Sequence, residues 1–244
     1  MFWFLRIFLN PVSLFYIMEK IIVVDFAGTL IKPEIIEEAN KYRAEILAKA
    51  LPSEEEHANP EELYKVNREF VEKLIGIKSD AKIKYRENDL DNIELSGEQL
   101  QNQIATNLFQ IGMYIAAKKY KENIFPEGLI DELKKIKQKY ALAIVSGVRT
   151  DIISGMLLIA GCDLFDYIYG QPPILGVTNE QNFKELKQKG EIIFLMGDKY
   201  SDLEPAKKLN AKTIFVRWGH ASGGEEEIAD FTIEKPEEIS KIIN

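Results

Sequence analysis

The chain has 244 residues, 46% of them hydrophobic and 29% charged, with a formal charge of −8. That is an ordinary globular composition, sufficient for one large domain or a core plus a smaller unit, and it excludes collagen-like and low-complexity chains. The acidic balance argues against nucleic acid as a partner, since phosphate backbones need basic patches. The one cysteine, Cys162, rules out a disulfide framework and a cysteine zinc site, and suits a reducing compartment such as the cytoplasm.

Residues 1–17 (MFWFLRIFLNPVSLFYI) are apolar but broken by Arg6, Asn10, Pro11 and Ser13. A spanning helix wants about 20 apolar residues, and a secretory signal wants a small-residue cleavage site. The expectation is a start artefact or loose extension, with a membrane-surface anchor or a packed helix as alternatives. Met18-Glu19-Lys20 then leads into Ile21–Val24, a continuous apolar run that suits a strand buried on both faces of a parallel sheet.

Three amphipathic helices follow in the pattern. Residues 33–51 open on Pro33, with Ile35, Ala39, Tyr42, Ile46 and Ala50 at helical spacing. Residues 59–75 open on Asn59 and Pro60, with a stripe of Leu63, Val66, Phe70 and Leu74. Residues 77–95 are charged and aperiodic and read as a loop or short irregular helix, and 96–120 carry the stripe Leu100, Ile104, Leu108, Ile111 and Ile115. Three helices without an intervening strand predict a separate helical unit over 33–122.

From Phe125 the pattern alternates. Helix 129–139, strand 141–145, helix 150–160, the stretch 167–169, a Pro-rich turn at 171–173 and a helix near 181–189 come in turn. Strand 192–196, a helix from about Leu203, strand 213–216 and an edge strand at 231–233 complete it. Such alternation predicts an α/β fold, a Rossmann-like doubly wound parallel sheet made from 18–32 and 123–244, with the helical unit spliced in after the first strand.

Polar residues end three of these strands: Asp25, Ser146 and Asp198. In open α/β sheets ligands bind at the carboxyl ends of the strands, so the three can converge. Gly28 and Thr29 form a tight turn whose amides can hold an anion. Ser146 and the Gly147 amide offer a second donor pair beside a helix start. Asp198 and Asp202, in G-D-K-Y-S-D, can hold magnesium with waters and phosphate oxygens. Taken singly, Ser146-Gly147 is an ordinary start to a helix and Asp202 an ordinary N-cap. His57 and His220 lack a partner at ligand spacing, and Cys162 reads as a packing residue. Lys118, Lys119 and Lys121 suit a helix C-terminus.

Together these stretches resemble the haloacid dehalogenase-like hydrolase superfamily with a helical cap: D-F-A-G-T is similar to its first motif, V-S-G to its second and G-D-K-Y-S-D to its fourth. The tail T-I-F-V-R-W-G-H…A-D-F-T-I is similar to phosphoglycolate phosphatase-like members. The resemblance implies magnesium-dependent hydrolysis of a small phosphorylated metabolite through an aspartyl-phosphate on Asp25. It implies that Ser146 binds the phosphoryl group. It also implies that Asp25, the Ala27 backbone, Asp198 and Asp202 hold Mg2+. The third-motif cation is assigned to Lys184, with Lys187 as fallback, because Gln171 stands where many members carry Lys. Ala27 occupies the position of the family's usual general acid/base. Phosphonoacetaldehyde hydrolase shares an Ala there and uses a cap lysine, for which Lys41, Lys49 and Lys65 are candidates. Three readings stay open: an unusual phosphatase, a phosphonatase-like enzyme, or a catalytically weak binding protein.

Overall fold

The computed structural model describes residues 19–50, 82–87, 90–171 and 179–243. The expectations for residues 1–17, for a helix at 59–75 and for the turn at 172–173 lie outside the described residues. The first strand, β1 (Glu19–Val24), has Ile21, Ile22, Val23 and Val24 almost completely buried. A run of four β-branched residues reaches that state only between two neighbouring strands and two packed layers.

Its neighbours are β4 (Ala141–Arg149) and β6 (Gly190–Gly197), both parallel to it. Beyond them lie β5 (Tyr167–Gln171) on one side, and β7 (Lys212–Val216) and β8 (Phe231–Ile233) on the other. The six-stranded sheet has the order β5-β4-β1-β6-β7-β8 and every pairing is parallel. This is a Rossmann-like α/β sheet. The chain leaves β1 toward one edge and later returns to its other side, which puts the topological switch point at the carboxyl end of β1.

The alternation of side chains builds two cores. Ile22, Val24, Leu142, Ile144, Met196 and Ile214 face one layer, while Ile21, Val23, Ala143, Val145 and Leu195 face the other. The first layer contains α1 (Pro33–Ala50), α2 (Gly97–Tyr120), α3 (Leu129–Lys137) and α4 (Thr150–Ile159). The second contains α5 (Asn179–Lys187), through Phe183 and Leu186, together with Ala206 of the short α7 (Pro205–Leu209), which follows α6 (Tyr200–Leu203). Two further short helices are α8 (Glu225–Ile228) and α9 (Ile239–Ile242).

One expectation is corrected. Residues read as a loop or irregular helix instead form an antiparallel hairpin, β2 (Lys82–Glu87) with β3 (Leu90–Ser96). The segment between β1 and β4 is therefore not purely helical. Its alternation of charged and apolar residues (K-I-K-Y-R-E and L-D-N-I-E-L-S) has period two, a pattern masked in sequence by the high charge. Ser96 ends β3 and caps α2: its hydroxyl accepts from the Gln99 amide at 3.1 Å while the Gln99 side chain accepts from the Ser96 amide at 2.9 Å. None of the described helices is long and apolar enough to cross a membrane.

Candidate functional site

β1 delivers Asp25 one residue past its last paired position, and the Asp25 amide donates to the Met196 carbonyl of β6 at 2.9 Å. The chain then turns sharply. Ile31 N donates to Phe26 O at 2.8 Å and Gly28 N to Ile31 O at 3.1 Å, with an isolated bridge joining Ala27 and Ile31. Gly28 has φ +98°, and a Cβ there would lie 2.3 Å from Oδ2 of Asp198. Only glycine meets both the backbone and the space requirement. The Gly28 amide is thus used inside the turn. The Thr29 hydroxyl, fully buried, donates to Asp198 Oδ1 at 3.1 Å. These two positions shape the turn and hold Asp198, with the Gly28 amide committed to the Ile31 carbonyl.

β6 ends in Gly197 and Asp198. Asp198 is fully buried, and its second oxygen accepts the His220 amide at 2.7 Å. Gly219 passes so close that a Cβ would lie 2.2 Å from Asp198 Cβ. Trp218 Nε1 donates to the Thr29 carbonyl at 3.0 Å and closes the ring of contacts around the acid. Asp202 sits in the first turn of α6, where its Oδ2 accepts the Lys199 amide at 3.0 Å. That turn is braced from outside by Glu225, the first residue of α8. Its carboxylate accepts the amides of Tyr200 at 3.2 Å, Ser222 at 2.6 Å and Gly223 at 2.8 Å, together with the Ser222 hydroxyl at 2.5 Å.

Carboxylate oxygens of Asp25, Asp198 and Asp202 all lie within 4.8 Å of one another. Burial, then the charges of Asp202 and Asp198, push the Asp25 carboxyl well above the usual range, opposed by the Phe26 amide and the Ser146 hydroxyl. Burial and the charge of Asp198 raise Asp202 to about 6. Like charges this close, in a dry site, are stable only when a proton or a cation sits among them. Three hard oxygen donors at this spacing suit a divalent cation of the magnesium type. Glu225 goes the other way. Burial alone raises it, but the hydrogen bonds from Ser222, Gly223 and its own amide outweigh burial and bring it down to about 2.

Of the residues expected from sequence, Asp25, Ser146, Asp198 and Asp202 come together at the carboxyl ends of β1, β4 and β6. Ser146 is buried, and Gly147 beside it is exposed. The structure does not bring Lys184 to them. Lys184 and Lys187 are exposed and line a separate surface groove with Glu180, Glu204 and Lys208. The cleft beside Asp25 is lined instead by Asn179, Phe183, Met196, Ser201 and Asp202 with the apolar ends of three strands. The ring of Phe183 walls one space from the other. Helix spacing explains the difference: Asn179 stands in the first turn of α5, at the sheet's carboxyl edge, whereas Lys184 is more than a turn further on and faces outward. Sequence reasoning missed Asn179, Trp218, Gly219 and Glu225: Trp218 reaches 189 residues back to Thr29 and leaves no local spacing to read, whereas the Ser222 to Glu225 spacing was a local signal.

The family model for haloacid dehalogenase-like hydrolases matches residues 22–216, and the chain belongs to that family. No curated protein matches the chain in sequence. Among solved structures, a candidate phosphatase from Clostridium difficile superposes with a TM-score of 0.62 at 18% identity, covering 93% of this chain and 99% of that one. A predicted phosphoglycolate phosphatase from Haemophilus somnus gives 0.61 at 17% identity, with 93% and 98% covered. YfnB of Bacillus subtilis, described as a HAD-hydrolase bound to magnesium, gives 0.55 at 15% identity, with 93% and 99% covered. At these identities the likeness is one of fold.

Proposed function

We propose that this protein hydrolyses a small phosphorylated metabolite with Asp25 as nucleophile. The observation that carries the reading is the convergence of Asp25, Asp198 and Asp202 within 4.8 Å at the switch point of the sheet. Mg2+ would be held by Asp25, the Ala27 backbone, Asp198 and Asp202; YfnB, of the same fold, is described as bound to magnesium. Bound there, the ion would offset the charge of the three acids and of the incoming phosphate. Asp25 Oδ attacks phosphorus in line with the leaving group, the bond to that group breaks, and an aspartyl-phosphate remains until water releases it. Ser146 orients the phosphoryl oxygens. Thr29, Trp218 and the His220 amide hold Asp198 in place. The segment 33–122, with α1, α2 and the β2–β3 hairpin, acts as a cap that selects substrate.

Ala27 supplies no proton to the leaving group and none of the base that activates water, which costs about 10²–10⁴ in rate. Substrates with good leaving groups suit such a site. A second reading, a weakly catalytic binder of phosphate compounds, is favoured by the position of Lys184 outside the cleft. A phosphonatase-like reaction needs a cap lysine. Lys41 is exposed on α1, while Lys65 and the side chain of Lys49 lie outside the described residues.

The deciding experiment is phosphate release from a panel of phosphomonoesters, acyl phosphates and phosphonoacetaldehyde, with magnesium or EDTA, against Asp25→Asn. Magnesium-dependent release lost in the variant is the expected result. Release that survives in Asp25→Asn sinks the nucleophile assignment, and release from nothing in the panel leaves the binder. Borohydride trapping with phosphonoacetaldehyde checks the third reading, because a Schiff base would leave a stable adduct on lysine.

A further inference from the structure

The second motif is not a plain strand end. β4 and β5 pair in register through Val145 opposite Tyr169, then resume at Arg149 opposite Gln171. Four steps along β4 therefore answer two along β5, and Ser146, Gly147 and Val148 bulge out of the ladder. Bulges re-aim side chains and leave backbone groups without ladder partners. Here a carboxamide from the inserted segment fills the gap. Gln110, in the middle of α2 and 2% exposed, donates from Nε2 to the Gly147 carbonyl at 3.4 Å and accepts the Arg149 amide on Oε1 at 3.0 Å. One donor and one acceptor on a planar amide reproduce what a passing strand would offer to alternate residues.

α2 is itself fixed on both sides of this contact. Gly112 lies so close to α1 that a Cβ would sit 2.6 Å from the Ala39 carbonyl, and the Tyr114 ring covers Gly155 of α4. Gln110 is thus carried by a helix packed closely on α1 and α4, and what it grips is the bulge that holds Ser146, whose hydroxyl is hydrogen-bonded to Asp25. We infer that Gln110 is a positioning residue: it sets the geometry of the Ser146 bulge and ties it to the inserted segment. The functional part of this inference rests on the proposed role of Ser146 in binding a phosphoryl group.

Three variants test it: Gln110→Leu, Gln110→Glu and, as control on the same helix, Gln103→Leu, which removes a bond to Asn107 that does not touch β4. Two readouts are taken on the full chain: hydrogen exchange of the Arg149 amide, and affinity for inorganic phosphate with magnesium present. In Gln110→Leu, Arg149 exchange rises about tenfold or more and phosphate affinity falls about tenfold, as expected for an orphaned amide. In Gln110→Glu, of nearly equal volume, the acceptor for Arg149 survives while a carboxylate oxygen meets the Gly147 carbonyl. The loss relative to wild type at the same pH is therefore large at pH 8 and shrinks at pH 5.5, where the protonated acid donates again. Unchanged Arg149 exchange in both Gln110 variants, or equal losses in Gln103→Leu, overturns the inference. If the Gln110 variants free the Arg149 amide but wild type binds no phosphate, the positioning stands and the phosphoryl-transfer reading of the site falls.

Discussion

At the scale of single residues, Ala27 and Gly219 show opposite kinds of constraint. Ala27 is half-buried in the bridge to Ile31, and in the proposed reaction it leaves the leaving group without an acid. Replacing Ala27 with Asp should raise phosphate release from alkyl phosphomonoesters by about 10²–10⁴, and much less from substrates whose leaving group needs no proton. An equal gain, or none, on both kinds of substrate would contradict a missing-acid account. Gly219 admits no side chain at all, because a Cβ would lie 2.2 Å from Asp198 Cβ. Gly219→Ala should therefore cost about 1–3 kcal/mol of stability and displace Asp198; calorimetry and magnesium titration would read the two effects. The place of Ala27 just past the first strand was legible in the sequence, since D-F-A-G-T sits directly after an apolar run. The constraint at Gly219 was not, since a glycine in G-H-A-S-G-G reads as part of a flexible loop until its contact with Asp198 is seen.

At the scale of elements, β1, β4 and β6 were legible because each is an apolar run that leads into a polar residue, Asp25, Ser146 and Asp198. The hairpin at 82–96 was not, because its charged faces hide the alternation. Lys184 shows a related limit: a motif fixes which helix approaches the site, but not which of its faces, and α5 turns Asn179 and Phe183 to the cleft while Lys184 lines the outer groove. The 219–225 turn is also an element in its own right, organised around the Glu225 carboxylate. That carboxyl sits at about 2 against 4.5 when free, so the folded chain loses its proton at a pH where the unfolded chain keeps one. Its contribution is fully present above 4.5 and is lost as the pH falls from there toward 2. Glu225→Gln should lower the melting temperature by several degrees at pH 7, and the gap from wild type should close in acid. A gap that stayed constant down to pH 3 would show that the charge is not what braces α6.

At the scale of the molecule, the acidic cluster links folding, protons and metal. Asp202 titrates at about 6 in the fold against 3.8 when unperturbed, and Asp25 is raised as well. Between those values the folded chain holds a proton that the unfolded chain has released. Metal-free stability therefore declines as the pH rises through that window. If held there as proposed, magnesium competes for the same oxygens, so it should bind weakly below pH 6 and displace protons as it binds. Thermal unfolding with EDTA and with magnesium, from pH 4.5 to 8, should show a stabilisation by the ion that grows with pH. A gain independent of pH would place the ion elsewhere.

The grip on Asp198 also has a consequence for the order in which the protein is made. Thr29 and Asp198 are 169 residues apart, and Trp218 reaches back 189 residues to Thr29. Long-range contacts of this kind form late, after the loops between them have closed. A ribosome that has just added Asp198 has already produced Asp25, Thr29, Ser146 and strands β1, β4, β5 and β6 of the sheet, yet not Trp218 and His220, which complete the clasp on the acid. The last contacts around Asp198 are thus supplied by residues 218–220, so the acid is enclosed only after β7 has been added.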